Sequence, residues 1–135
     1  MRHIVWDWNG TLYDDLHIVV ESVNASLRRF GEGPIDADAY RAHYRRPVPR
    51  FYESLLGRPI PEGMWRTIDR VFHETYHAAL DRARLASDAF VAMDAVAEAG
   101  ATQSILSMWW HDRLVPAVAS FGLDGRMVLI DGHRG

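Results

Sequence analysis

Two short stretches of this chain space reactive side chains in ways that could do chemistry. In His3-Ile4-Val5-Trp6-Asp7-Trp8-Asn9-Gly10-Thr11-Leu12-Tyr13-Asp14, the carboxylate of Asp7 follows a β-prone apolar run and precedes an Asn-Gly turn. That puts Asp7 at the carboxyl end of a strand, where open α/β sheets keep their ligand crevices. An ordinary buried strand closing in a turn is the plain alternative for Asn9 and Gly10 taken alone. The second stretch, His73-Glu74-Thr75-Tyr76-His77, matches HExxH, in which two histidines one helical turn apart hold zinc and the glutamate acts as general base. Here Ile68, Phe72, Thr75, Tyr76, Ala79 and Ala83 form the expected buried stripe, leaving both histidines on a polar flank. A catalytic zinc also needs a third ligand, and nothing selects among Asp94, Glu98 and His111, so the zinc hydrolase ranks far below the reading built on Asp7. His17, His43 and His133 read as residues of the surface or of the helical insertion.

The elements that must position these groups follow from periodicity. Helical signals run from Leu16 to about Leu85. Ile18, Val19, Ser22, Val23, Ser26, Leu27 and Phe30 keep helical spacing until Gly31 and Gly33-Pro34 stop them, and further helices are expected over 36–44, 50–56 and 61–83. The pattern then changes. Asp88 to Glu98 reads as a helix closed by Gly100, Ala101 to Ser107 as a buried strand, Arg113 to Phe121 as a helix closed by Gly122, and Met127 to Ile130 as a third short strand. A strand, a helical insertion of about seventy residues and then helix-strand-helix-strand predicts an α/β fold: a parallel sheet interrupted by a helical subdomain.

The first stretch resembles the first signature of the haloacid dehalogenase superfamily of phosphohydrolases, DxDGTLxD after a hydrophobic strand. Asp7, Gly10, Thr11, Leu12 and Asp14 match, five positions in order, while Asn9 stands where the family has its second aspartate. The resemblance implies a Rossmann-like core over 1–14 and 84–135, incomplete here, with a helical cap over 15–83. It implies Asp7 as the nucleophile that forms an aspartyl-phosphate, and Mg²⁺ as cofactor, bound by Asp7 and the backbone carbonyl of Asn9. The family's second aspartate also protonates the leaving oxygen; a neutral amide has no proton to give near neutral pH. Trp8, Gly10 and Thr11 join the expected phosphate-binding set. The layout is closest to phosphoglycolate-phosphatase-like members.

The same resemblance places the second signature at Ser104-Ile105-Leu106-Ser107-Met108, where the Ser107 hydroxyl and the next backbone N–H, that of Met108, would bind the transferring phosphoryl group. A serine ending a strand is otherwise more often a helix N-cap. Trp109, expected with Trp110, His111 and Asp112 at the start of the next helix, could meet substrate or simply pack. Arg45 and Arg46, beside Pro47-Val48-Pro49, could hold an anionic head group by bidentate contacts, although a solvated basic turn is the preferred reading.

Composition bounds what remains. With 135 residues, 48% of them hydrophobic, the chain can bury a core of its own. A net charge of −3 offers no electrostatic reason for nucleic acid or an anionic membrane as partner. There is no cysteine, so disulfides and thiolate metal sites are excluded. No basic-plus-apolar leader and no apolar run near eighteen residues occurs, which points to a cytoplasmic protein. All fifteen basic residues are arginine, so the family's third-signature lysine has no counterpart, and Asp112, Asp124 and Asp131 form no paired acidic motif. The chain therefore reads as roughly the first two-thirds of a phosphatase acting on a small phosphorylated metabolite. The alternative is a non-catalytic binding or regulatory protein on the same fold. The isolated chain is expected to be inactive and to self-associate through its first strand, left as an open apolar edge.

Overall fold

Apolar β-formers at Ile4, Val5 and Trp6 build strand β1 (His3–Trp6) in the computed structural model, which describes residues 2–135. Strand β4 (Thr102–Trp110) lies parallel to it, with His3 opposite Thr102 and Trp6 opposite Ile105. Strand β5 (Leu129–His133) pairs in parallel with the far side of β4, Ser104 opposite Leu129 and Leu106 opposite Asp131. The sheet order is β1-β4-β5, the parallel α/β arrangement expected from the sequence. Helices α5 (Ala89–Glu98) and α6 (His111–Ser120) make the crossovers. Both crossovers advance across the sheet in one direction, and right-handed connections then put both helices on one face. Gln103 and Ile105 are buried, and the Gln103 side-chain nitrogen donates to the Met93 carbonyl of α5 at 3.1 Å. Val5 and Leu129, which stand in register through Ser104, remain 57% and 54% exposed.

Strands β4 and β5 differ from the sequence reading at their boundaries. Strand β4 does not stop at Ser107 but continues through Trp109 and Trp110, with an irregularity in register between Leu106 and Trp110. Trp110 still pairs with His133, and aromatic residues suit a pleated surface; the polar Ser107 was a poor terminator. Strand β5 begins two residues late and runs through Asp131-Gly132, a pair that normally signals a turn. Gly132 is there for space: a Cβ on it would lie 2.7 Å from the Trp109 carbonyl oxygen and 2.7 Å from His111 Cα.

A second, two-stranded ladder escaped the sequence altogether. Strands β2 (Tyr13–Asp14) and β3 (Arg84–Leu85) pair antiparallel, and the Ala86 N–H extends the ladder to the Leu12 carbonyl at 2.7 Å. Two-residue strands are too short to show a period.

The chain divides into two units, one formed by the segment up to Asp15 with Arg84–Gly135 and the other by Leu16–Ala83. The second is helical: α1 (Leu16–Arg28), α2 (Ala37–His43), α3 (Val48–Leu56) and α4 (Glu62–Ala78). Asp36 caps α2 by accepting the Ala39 N–H at 2.8 Å, and Gly57, left-handed at φ 67°, ends α3. Val23, Leu27, Phe51, Tyr52 and Ile68 are its buried core. Helix α4 ends at Ala78, short of the expected boundary, and a 3-10 turn over Leu80–Arg82 follows, where Arg82 pairs with Glu21 of α1 at 2.8 Å. Among the described residues no helix is long and apolar enough to cross a membrane.

Candidate active site

The loop after β1 is folded by its own backbone. The Thr11 and Tyr13 N–H groups both donate to the Trp8 carbonyl, at 3.1 and 2.9 Å, and the Gly10 N–H donates to the Tyr13 carbonyl at 2.9 Å. Closing so tight a loop needs a left-handed residue, and Gly10 supplies it at φ 76°. The result is a short tether: the Thr11 hydroxyl donates to Asp7 Oδ2 at 3.1 Å, orienting a carboxylate that is itself exposed.

Beneath the loop lies an aromatic cluster. Trp8 is fully buried, stacked on Tyr13 at 5.0 Å between ring centroids and tilted against Phe121 at 6.2 Å. Trp109 stacks on the same Tyr13 ring at 5.9 Å. The Trp8 side chain therefore anchors the loop and is closed to any ligand. Burial, and secondarily the Asp15 carboxylate, pushes the Tyr13 hydroxyl up to about 12.

Asn9 stands at the centre of a polar network. Its side-chain nitrogen donates to Asp15 Oδ2 at 3.2 Å, its side-chain oxygen accepts the Ser107 hydroxyl at 3.3 Å, and Ser107 Oγ accepts the Trp109 N–H at 3.0 Å. The β1–β4 pairing thus brings the two stretches singled out in the sequence, around Asp7 and around Ser107, to one end of the sheet. Met108, next to Ser107, is 73% exposed. Asp15, 3% exposed, was missed as a site residue; it reads as one more acid after Asp14, and no local pattern marks a buried carboxylate. Also missed was a cluster at the ends of β4 and β5, where His111 Nδ1 accepts the Gly132 N–H at 3.0 Å and Arg134 pairs with Asp131 at 2.8 Å.

The remaining candidates lie in the helical unit. Arg45 and Arg46 are exposed, and Arg45 Nε donates to the His43 carbonyl at 3.0 Å, folding back on its own turn. His73, also exposed, pairs along α4 with Asp69 at 3.2 Å. Among the described residues no group of three or more His, Cys, Asp or Glu could hold a metal, which leaves HExxH without a zinc centre. The donors at the Asp7 loop are different in kind. A carboxylate and a backbone carbonyl are hard oxygen ligands, and Mg²⁺ typically takes one or two carboxylates and completes its shell with water and phosphate oxygens, so Asp7 and Asn9 fit a partial Mg²⁺ set.

A parallel α/β core with a helical unit inserted between β2 and β3 is the fold of solved structures of haloacid dehalogenase-like hydrolases. Three solved structures illustrate the likeness. A predicted phosphoglycolate phosphatase from Haemophilus somnus superposes with a TM-score of 0.75 at 16% identity, covering 98% of this chain and 62% of its own. A haloacid dehalogenase-like family hydrolase from Streptococcus pneumoniae gives 0.79 at 13% identity, covering 98% and 61%. A predicted phosphatase from Clostridium acetobutylicum gives 0.75 at 14%, covering 98% and 61%. The chain thus spans about six-tenths of the length of these structures. No protein-family model matches the sequence, and no curated protein matches it.

Proposed function

We propose that this chain carries the nucleophile and phosphate-binding half of a Mg²⁺-dependent phosphohydrolase acting on a small phosphate ester. The observation that supports this most directly is the meeting of Asp7, tethered by Thr11 at 3.1 Å, and Ser107, bonded to Asn9 at 3.3 Å, at one end of the sheet. In the proposed reaction an Asp7 carboxylate oxygen attacks phosphorus, the bond from phosphorus to the leaving oxygen breaks, and an aspartyl-phosphate forms. Water then attacks that phosphorus, releasing inorganic phosphate and regenerating the carboxylate. The N–H groups of Trp8 and Met108 are the donors proposed to follow the charge on the equatorial oxygens, and the Ser107 hydroxyl joins them by turning its proton from Asn9 to a phosphoryl oxygen; the Gly10 and Thr11 N–H groups, held by the Tyr13 and Trp8 carbonyls, shape the loop instead. Asn9 supplies no proton, so the leaving oxygen takes its proton from water, which favours esters with good leaving groups. Asp7 and the Asn9 carbonyl are the groups that would hold Mg²⁺, which when bound would supply charge neutralisation for the transfer.

The helical unit is read as the cap, with Arg45 and Arg46 as its candidates for an anionic leaving group and Trp109 as a contact from the core. The protein is read as cytoplasmic. A second reading, a phosphate-binding protein without turnover, draws support from Asn9 in place of an acid. The two part on one experiment: steady-state hydrolysis of a nitrophenyl phosphate by the chain extended to the length of the solved structures, with and without Asp7→Asn. The hydrolase reading expects Mg²⁺-dependent turnover abolished by Asp7→Asn in a protein that still folds. Undiminished turnover in that variant overturns Asp7 as nucleophile. Phosphate binding with no turnover in either form favours the second reading.

A further inference from the structure

The two ends of an asparagine amide have nearly the same shape and opposite hydrogen-bonding character, so a neighbour decides which way round the group sits. At Asn9 that neighbour is Asp15. A carboxylate only accepts, so the amide nitrogen must face Asp15 Oδ2, at 3.2 Å, and the amide oxygen must turn the other way, toward the Ser107 hydroxyl at 3.3 Å. Ser107 gives its one hydroxyl proton to Asn9, and its oxygen accepts the Trp109 N–H at 3.0 Å. The chain of bonds therefore has one consistent direction, Trp109 to Ser107 to Asn9, closed by Asn9 to Asp15. Reversing the amide would set two acceptors against each other at 3.2 Å. Asp15 is 3% exposed, so its bond with Asn9 acts at low local dielectric.

We propose that Asp15 is a positioning residue: through the Asn9 amide it orients the Ser107 hydroxyl, so that asparagine at 9 and aspartate at 15 form a matched pair. Asp15 touches no reacting atom. Its effect is to hold the position-9 side chain and the Ser107 oxygen in a single arrangement where the loop after β1 meets β4. The pairing also explains how asparagine is accommodated at 9. An acid there would face the Asp15 carboxylate at the distance the amide now spans, whereas the amide satisfies it. The bond relay stands on the geometry alone; its consequence for phosphoryl binding rests on the function proposed above.

The test uses the 135-residue chain with four variants: Asp15→Asn, Asn9→Asp, the swap Asn9→Asp/Asp15→Asn, and Asp14→Asn, the same charge change at the exposed neighbouring position. Two readouts are taken, the thermal midpoint at fixed protein concentration and the NMR signals of the Asn9 side-chain amide. Asp15→Asn should lower Tm by roughly 5 °C and Asn9→Asp by more, while the swap, which restores one donor facing one acceptor, should recover most of the loss. The Asn9 amide signals should move in Asp15→Asn and stay in place in Asp14→Asn. Additive losses in the swap, or amide signals indifferent to Asp15→Asn, overturn the proposal. Recovery in the swap together with a chain that turns over no phosphate ester at full length supports the relay and rejects the hydrolase reading, so the two claims fail separately.

Discussion

The Ser107 hydroxyl donates to the Asn9 side-chain oxygen at 3.3 Å, joining segments separated by 98 positions in sequence across the β1–β4 pairing. That single bond connects the residue that would bind the phosphoryl group with the residue that lacks an acid. It also sets what a restored acid could do. Asn9→Asp alone would bring two carboxylates together at the present 3.2 Å spacing, so its gain in turnover should be small. Asn9→Asp/Asp15→Asn keeps one donor in the pair and should raise the rate for alkyl phosphates, with roughly 10²–10⁴-fold as the ceiling that general acid catalysis sets. Nitrophenyl phosphate, whose leaving group needs little protonation, should gain far less. Measuring kcat on both ester classes checks this.

Gly132 carries a packing prediction. A Cβ there would meet the Trp109 carbonyl and His111 Cα at 2.7 Å, both backbone atoms that cannot swing aside. Gly132→Ala should cost about 1–3 kcal/mol, the usual range for overpacking. Gly125→Ala, which would meet nothing within 4 Å, should fall within about 0.5 kcal/mol of the parent. Chemical denaturation of the two variants distinguishes a local steric limit from a general intolerance of glycine replacement.

Alkaline pH should destabilise the fold through two tyrosines. Burial raises Tyr52 from 10.0 to about 12, with the Ser26 hydrogen bond lowering it and Asp69 raising it further; burial and then Asp15 raise Tyr13 to about 12. A folded-state pKa above the unfolded one means that folding favours the neutral phenol. The contribution is therefore complete below pH 10 and is lost as pH rises through about 12. Tyr13→Phe should make the decline between those values shallower. A decline as steep as the parent's would remove Tyr13 from this account.

Among the described residues strand β1 is an edge of its sheet, with Val5 57% and Ile4 36% exposed. In the 135-residue polypeptide on its own that edge should pair with β1 of a second copy, because an antiparallel pairing of one strand with itself is self-complementary about a two-fold axis. Light scattering should find dimers or larger species in the isolated chain, reduced by Val5→Lys. A monomer at high concentration contradicts the pairing.

Much of this architecture was legible in the residues. The Ile4-Val5-Trp6 run, Gly100 and the helical spacing from Ile18 to Phe30 each report a local preference, and local preferences locate elements well. What escaped depended on distant partners. Trp109 and Trp110 extend β4 because His133 is there to pair with Trp110, and Gly132 belongs to a strand because the Trp109–His111 backbone passes close by. The role of Asp15 needs Asn9 folded back over it by the Trp8–Tyr13 loop, an arrangement no spacing rule announces. Asp7 could be picked out from its place after the first strand, and Ser107 from the likeness of its segment to the second signature, but the bond from Ser107 to Asn9 could not.

The most direct test of the central claim is chemical capture of the intermediate. The chain extended to the length of its structural neighbours is incubated with acetyl phosphate and Mg²⁺, quenched in acid, digested and analysed by mass spectrometry. The account predicts a hydroxylamine-labile phosphoryl group on the peptide containing Asp7, absent from Asp7→Asn. Turnover of phosphate esters with no adduct on that peptide, or an adduct that persists in Asp7→Asn, would contradict it.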